Sequence, residues 1–230
     1  MIRTHLIQLT ADIAARKQVA TITTLATGAQ LLVHPGDRVA DDLAAPLADA
    51  FRKDKSQVVA TAAGEVFINI FNPSLRMIMI GAVHISQALI PMARQAGYDI
   101  TVIDPRTAFA SGERFAGVAL DARWPDDVLP GLRLDRRTAF IALTHDPKID
   151  DPALKLALGS DCFYIGALGS GRTHAKRRER LTAAGLTDAQ LDRIHAPIGL
   201  DIGAIGAPEI AISILAEVTA HLRGKAAART

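Results

Sequence analysis

The segment Gly166-Ala167-Leu168-Gly169-Ser170-Gly171-Arg172 is the stretch of this sequence best suited to chemistry. Closely spaced glycines let successive backbone N–H groups curl into an anion-binding nest, and a following helix adds the partial positive charge of its N-terminus. The helix expected there carries Arg172, His174, Lys176, Arg177, Arg178 and Arg180. A phosphate suits Gly169, Ser170, Gly171 and Arg172, whereas from Arg177 onward the basic run reads as a solvated helix face. A second group is Thr144-His145-Asp146. A histidine between a hydroxyl and a carboxylate has the parts for proton transfer or metal ligation. Neighbours on an extended chain point to opposite sides, however, so these three cannot form a triad among themselves, and turn chemistry is the alternative. No H-x-x-x-H or cysteine pair accompanies His145, so zinc is disfavoured and no metal ligands are assigned.

Gly81-Ala82-Val83-His84-Ile85-Ser86 stands where a dinucleotide fold would have G-x-G-x-x-G, and only the first glycine is present. Val83 replaces the glycine that lets backbone approach a pyrophosphate, and Ser86 the one that lets helix and strand pack closely, which disfavours tightly held NAD or NADP. Asp104 lies 23 residues beyond Gly81, about the distance at which an acidic group meets a ribose hydroxyl. The same residue equally suits capping of the Pro105-Arg106 turn. Arg106 has the planar fork to clamp a phosphate or carboxylate, or to neutralise Asp104. Asp201 sits in a glycine-punctuated loop, residues 196–209, so apolar that it reads as packed. A packed Asp201 needs hydrogen-bond partners, and would orient the Gly169 loop or touch a ligand.

The elements that must position these groups follow from the apolar pattern. From Arg76 onward, short continuously apolar strands (76–80, 98–103, 138–143, 162–165) alternate with helical segments, which calls for a parallel sheet covered on both faces: a Rossmann-like α/β domain. The polar clusters all fall at carboxyl ends of strands, where open parallel sheets bind ligands. Helices are expected at 85–96, with a kink at Pro91 and Gly97 at its cap, at 151–158 with Pro152 in its first turn, and at 208–222. The last has the stripe Ile210, Ile214, Val218, Leu222. A break at Asn72-Pro73 sets residues 73–224 apart from a small N-terminal α/β segment, 1–72, with strands at 19–25 and 66–71 and a helix at 41–51. Its core is thin and is expected to lean on the rest of the chain or on a partner. Residues 225–230 read as a frayed tail.

The chain has 230 residues, 49% hydrophobic and 22% charged, with a net charge of +2 and 4% aromatics. It should fold, and it has neither the charge nor the aromatic surface of a nucleic-acid binder. Cys162 is the only cysteine, which excludes an internal disulfide or a multi-cysteine metal site and points to a reducing compartment. No signal peptide is evident, and no apolar run reaches the roughly 20 residues of a membrane helix, so a cytoplasmic protein off the membrane is expected.

The strings RMIMIGAVHIS, VIDPR, THDPKIDDPALKLAL, YIGALGS and APIGLDIGAIGAPEIAISILAE, taken in order, resemble the xanthine dehydrogenase accessory family of the XdhC/CoxF type, the molybdenum-cofactor chaperones. The resemblance implies a Rossmann-like domain that holds molybdenum cofactor, helps its sulfuration by a cysteine desulfurase, and hands it to the apo-subunit of a molybdoenzyme of the xanthine-dehydrogenase or carbon-monoxide-dehydrogenase type. It implies phosphate at Gly169, Ser170 and Arg172, and pterin or nucleotide at Asp104 and Arg106. His84, Thr144, His145 and Asp146 would then face the molybdenum end or order the loops. A homodimer is expected by the same analogy. Two departures stand out. The family pattern after the first strand is close to GAGHVG, matched here at Gly81 and His84 but not at Val83 and Ser86. Of the family's N-terminal GSSPR-like and GGC segments, only TGAQLLV at residues 27–33 is similar. The N-terminal cysteine is absent, and the chain reads as the long half of a split chaperone completed by a small separate protein. Two other readings compete: a nicotinamide-dependent oxidoreductase on the same fold, and a non-catalytic docking subunit.

Overall fold

The computed structural model describes residues 3–107, 115 and 117–225, and separates into two units, Met1–Pro73 and Ser74–Thr230. In the first unit, helix α1 (Arg3–Ala14) leads into β1 (Val19–Thr24) and β2 (Gln30–Val33), and helix α2 (Asp41–Lys53) into β3 (Gln57–Thr61) and β4 (Gly64–Phe71). The strands pair antiparallel in the order β2-β1-β4-β3. Every second residue faces α2: Ala20, Ile22, Val66 and Ile68 pack with Leu43, Leu47, Ala50 and Phe51, the period-2 face a strand offers a covering helix.

The second unit runs β5 (Leu75–Ile80), α3 (His84–Gln95), β6 (Tyr98–Ile103), β7 (Ala119–Asp121), α4 (Pro125–Leu132) and β8 (Thr138–Ala142). It continues with α5 (Pro147–Leu158), β9 (Tyr164–Ala167), α6 (Gly171–Ala183), α7 (Asp188–Leu191), β10 (Ile194–His195) and α8 (Ala207–Leu222). Its six strands form one parallel sheet in the order β10-β9-β8-β5-β6-β7. The chain starts at β5, works outward to β7, returns to β8 and works outward again to β10. This is Rossmann topology, with its reversal point between β5 and β8.

Met77, Ile78, Met79 and Ile80 are consecutive and all at most 1% exposed, which requires helices on both faces. Ile78, Ile80, Phe140, Ala142 and Ile165 join a cluster with Val128 of α4, Leu154 of α5 and Leu181 of α6. Met77, Met79, Ala139, Ile141 and Tyr164 join the opposite cluster with Leu89 of α3 and Ile214 of α8. At about 1.5–3 kcal/mol per buried large side chain, β5 alone anchors the sheet with several kcal/mol of burial.

Three sequence expectations need correction. The strand expected at 162–165 lies at Tyr164–Ala167, because Cys162 belongs to a turn in which its N–H donates to Ser160 Oγ and its carbonyl accepts from Arg193. The helix expected at 151–158 begins at Pro147, because the Asp146 carboxylate caps it by accepting the Lys148 N–H and Pro147 takes the first helical position. The apolar loop 196–209 is not packed throughout. Asp201, Ile202 and Gly203 are exposed, and Ile205 is 90% exposed, because this part of the loop borders an open cleft, so Asp201 is under no burial constraint. Helix α3 contains Pro91. Of the tail expectation, residues 226–230 lie outside the described residues. No helix among the described residues is long and apolar enough to cross a membrane.

Candidate functional site

The carboxyl ends of β5, β6 and β8 meet at the reversal point. Gly81 leaves β5 at φ +119°, and a Cβ there would lie 3.0 Å from Thr144 Cγ2, so glycine suits both the backbone and the close approach of the two strand ends. Asp104, ending β6, is fully buried, and both of its oxygens are engaged. Ala82 N–H donates to Oδ2 at 2.7 Å, Arg106 N–H to Oδ1, and the Arg106 fork to both, at 2.9 and 2.8 Å. Burial alone would raise its pKa, but the bonds from Arg106, then from the Ala82 and Arg106 amides, hold it below the usual carboxylate value. Ser86 is buried as well. Its hydroxyl accepts the Val83 N–H at 2.9 Å and donates to the Val83 carbonyl at 2.7 Å, closing the start of α3 from within. His84, in the first turn of α3, is exposed.

Thr144 follows β8 with its side chain turned inward. Its hydroxyl donates to Asp150 Oδ1 at 2.6 Å and accepts the Asp146 N–H at 3.1 Å. His145 N–H donates to Asp150 Oδ2 at 3.1 Å. Asp150 is 1% exposed, and burial pushes its pKa up against the opposing pull of Thr144 and of the Arg177 charge. Held by these bonds, His145 adopts φ +62°, a left-handed conformation uncommon outside glycine, which leaves its imidazole exposed at the sheet edge.

Beyond β9, Gly169 at φ +130° turns the chain into α6, and a Cβ there would collide with Thr173 Cγ2 at 2.9 Å. Ser170 caps α6 by accepting the Thr173 N–H. Gly171 and Arg172 form its exposed first turn. Arg177, two turns in, is not the solvated residue that the basic run suggests. It is 2% exposed, with one Nη2 donating to the Leu168 carbonyl at 2.8 Å. Its Nε and Nη1 are buried without a hydrogen-bond partner among the described residues. Burial lowers its pKa, and Asp150 and Asp151 oppose that. The reason is spacing. Arg177 lies one turn before Leu181, the one core residue of this polar helix face, so both point at the sheet. Arg178 and Arg180 do form surface ion pairs, with Asp188 and Asp192 and with Asp151.

Two cavities open at this end of the sheet, and His145 lines both. The larger, about 590 Å³, has Leu168, Gly169 and Ser170 on one side and Ile198, Leu200 and Ile210 on the other, with Asp201 at its border. The smaller, about 240 Å³, is lined by Arg172, Lys176, Arg177 and Arg180, with Asp150 and Asp151. The larger falls within the range of small-molecule sites. His145, Gly169, Ser170 and Asp201 thus line the larger cavity, and Arg172 lines the smaller one with His145. Gly81, His84, Asp104, Arg106, Thr144, Asp146 and Gly171 line neither cavity, although Thr144 and Asp146 flank His145, which lines both. The sequence reading missed Arg177 and the wall residues 198–200. It also missed Glu217, which is fully buried and accepts the Gly199 N–H at 2.8 Å and the Tyr164 hydroxyl at 2.5 Å.

Residues 77–218 match the XdhC Rossmann domain. The chain is 33% identical over 148 residues to the molybdenum cofactor insertion chaperone PaoD of Escherichia coli K12, covering 64% of this chain and 40% of that protein. It is 29% identical over 154 residues to a probable xanthine dehydrogenase subunit of Bacillus subtilis, covering 66% of this chain and 44% of that protein. It therefore spans less than half the length of these relatives. A solved Bacillus halodurans structure described as a xanthine dehydrogenase superposes with a TM-score of 0.67 at 24% identity, covering 96% of this chain and 67% of that one, a likeness of fold.

Proposed function

Since this chain belongs to the XdhC family, carrying that family's Rossmann domain over residues 77–218, we propose that it is a molybdenum-cofactor chaperone that delivers the cofactor to a molybdoenzyme of the xanthine-dehydrogenase or carbon-monoxide-dehydrogenase type. The observation that carries this reading is the pair of cavities that share His145 in their linings, one apolar-walled and one basic. Molybdopterin is a flat ring system ending in a phosphate, or in a pyrophosphate when it carries a nucleotide. The Ile198, Leu200 and Ile210 wall suits the ring plane. The Gly169-Ser170 turn, the first turn of α6 and Arg172 suit the phosphate, with the buried Arg177 charge behind them. Asp104, Arg106, Thr144 and Asp146 serve by fixing the loops, Asp201 stands where solvent and a client protein reach the larger cavity, and His84 is exposed in the first turn of α3.

In this reading sulfuration depends on a cysteine desulfurase partner, because burial pushes the Cys162 thiol up to about 11 and leaves almost no thiolate at neutral pH. Cytoplasmic residence, a homodimer and a small separate protein supplying the family's N-terminal segments belong to the same proposal. A nicotinamide dinucleotide over α3 is less well served: Val83 N–H is already bonded to Ser86, and both Asp104 oxygens are engaged.

The test is equilibrium binding of anaerobically prepared molybdenum cofactor to the purified chain, with NAD and NADP in parallel. Micromolar or tighter cofactor binding is expected, weakened about tenfold or more in Arg172→Ala, the loss of one charge-assisted hydrogen bond of about 1.5–3 kcal/mol. Binding of a dinucleotide alone would install the oxidoreductase reading, and binding of nothing the docking-subunit reading.

A further inference from the structure

We propose that His195, Glu217 and His221 form a binding site for a divalent metal ion of the zinc class, separate from the cofactor cleft and resting on none of the argument for it. Glu217 and His221 stand four residues apart on α8, hence on one face of the helix, and His195 ends the edge strand β10. One ligand atom from each lies within 4.8 Å of the others. His195 Nδ1 is 3.3 Å from Glu217 Oε1, the separation that two ligands about 2.0–2.1 Å from a shared tetrahedral ion would have. The remaining separations, at most 4.8 Å, require a bound ion to draw the half-buried His221 side chain inward.

The surroundings are those of a ligand set held in place. Glu217 Oε2 is fixed by the Tyr164 hydroxyl and the Gly199 N–H, which leaves Oε1 toward the imidazoles. Outer bonds of this kind orient metal-ligating carboxylates. The His195 ring stacks on Tyr164, centroids 4.8 Å apart and planes 13° from parallel, and meets the His221 ring edge-on at 4.2 Å. The carboxylate is fully buried and the His195 side chain is 20% exposed, so an ion can enter from solvent on the imidazole side and keep a water there. Two imidazoles and one carboxylate select zinc, cobalt or ferrous iron over magnesium and calcium, which prefer all-oxygen sites. Because Glu217 also holds Gly199, which lines the larger cavity, a bound ion would brace that cavity's wall.

The experiment is titration of the chelator-stripped full chain with Zn²⁺ against a chromophoric competitor, with Co²⁺ absorption as a second readout. One ion per chain at micromolar or tighter affinity is expected. His221→Ala and His195→Ala should each weaken it at least tenfold, and His145→Ala and His84→Ala should leave it unchanged. His221→Ala changes a half-buried side chain on the surface of α8, and a thermal melt confirms that it folds. Absence of micromolar binding, binding indifferent to His221→Ala, or binding lost equally in His145→Ala would each overturn the proposal.

Discussion

Replacing Arg177 by methionine separates ligand chemistry from structural support at the cleft. Among the described residues this guanidinium makes one hydrogen bond, to the Leu168 carbonyl, and buries Nε and Nη1 unpartnered. Methionine forfeits that bond, about 1.5–3 kcal/mol for a charged donor, and removes the cation beside Asp150, but it relieves two unsatisfied donors at about 1–3 kcal/mol each. At mid-range the relief exceeds the lost bond by about 2 kcal/mol, and the lost attraction to Asp150 reduces this, so the expected balance lies between roughly zero and 2 kcal/mol in favour of the variant. At about 2–4 °C per kcal/mol for a chain of this size, the Arg177→Met melting temperature should be unchanged or up to about 8 °C higher. Anion binding should move the other way. Inorganic pyrophosphate, measured by calorimetry and by ligand-induced thermal shift, should bind about tenfold more weakly, because the Arg177 charge is then missing from the basic cavity. A melting temperature lowered by more than about 4 °C with pyrophosphate affinity intact would refute the reasoning and make Arg177 a structural residue.

Tyr164→Phe strips one donor from the buried Glu217 carboxylate and should cost about 1.5–3 kcal/mol in denaturant unfolding, with the Gly199 amide exchanging faster. Gly169→Ala puts a Cβ 2.9 Å from Thr173 Cγ2 at φ +130°; it should destabilise by about 1–3 kcal/mol and weaken pyrophosphate binding, read by the same melts and calorimetry. Asp104 has a lowered pKa in the folded protein, so the stability it contributes is present above its ordinary value of 3.8 and is lost as pH falls through and below it. The destabilisation caused by Asp104→Asn should therefore be full near pH 6 and shrink toward pH 3 in urea titrations. Asp150, raised by burial, has the opposite sign: its ionisation costs stability as pH rises from 3.8 through its folded value. Arg177→Met should steepen that decline.

The sheet was legible because residues such as those at 77–80 and 139–142 are apolar without alternation, a pattern that only a strand covered on both faces requires. The entry into α6 was legible because Gly169 and Ser170 announce a turn and a helix cap within two positions. Arg177 was not, because a cation inside a run of cations looks solvated until another element supplies a carbonyl and a carboxylate nearby. His195, Glu217 and His221 were missed for a related reason: α8 contributes two of them at helical spacing, but the third arrives from β10, and no local pattern links the two elements. The loop 196–209 misled through composition. Ile198 is core, Leu200 and Ile202 line an opening and Ile205 is exposed, and hydrophobicity alone does not distinguish these fates. The start of α5 at Pro147 was readable in principle, since Asp146-Pro147 is a cap followed by the residue best suited to a first turn.

The larger cavity has two sides of unequal stiffness. Gly199 is tied through Glu217 to Tyr164, and Leu200 N–H donates to the Ser213 carbonyl of α8, so residues 198–200 are riveted to the sheet and to a long helix. Residues 201–203 project into solvent, and the next anchors are the Ile205 and Gly206 amides on Glu209. A guest therefore meets a rigid jamb beside a short flap hinged at both ends. In the chaperone proposed above, a docking partner that gripped residues 201–203 would reshape the opening while the sheet stays as it is.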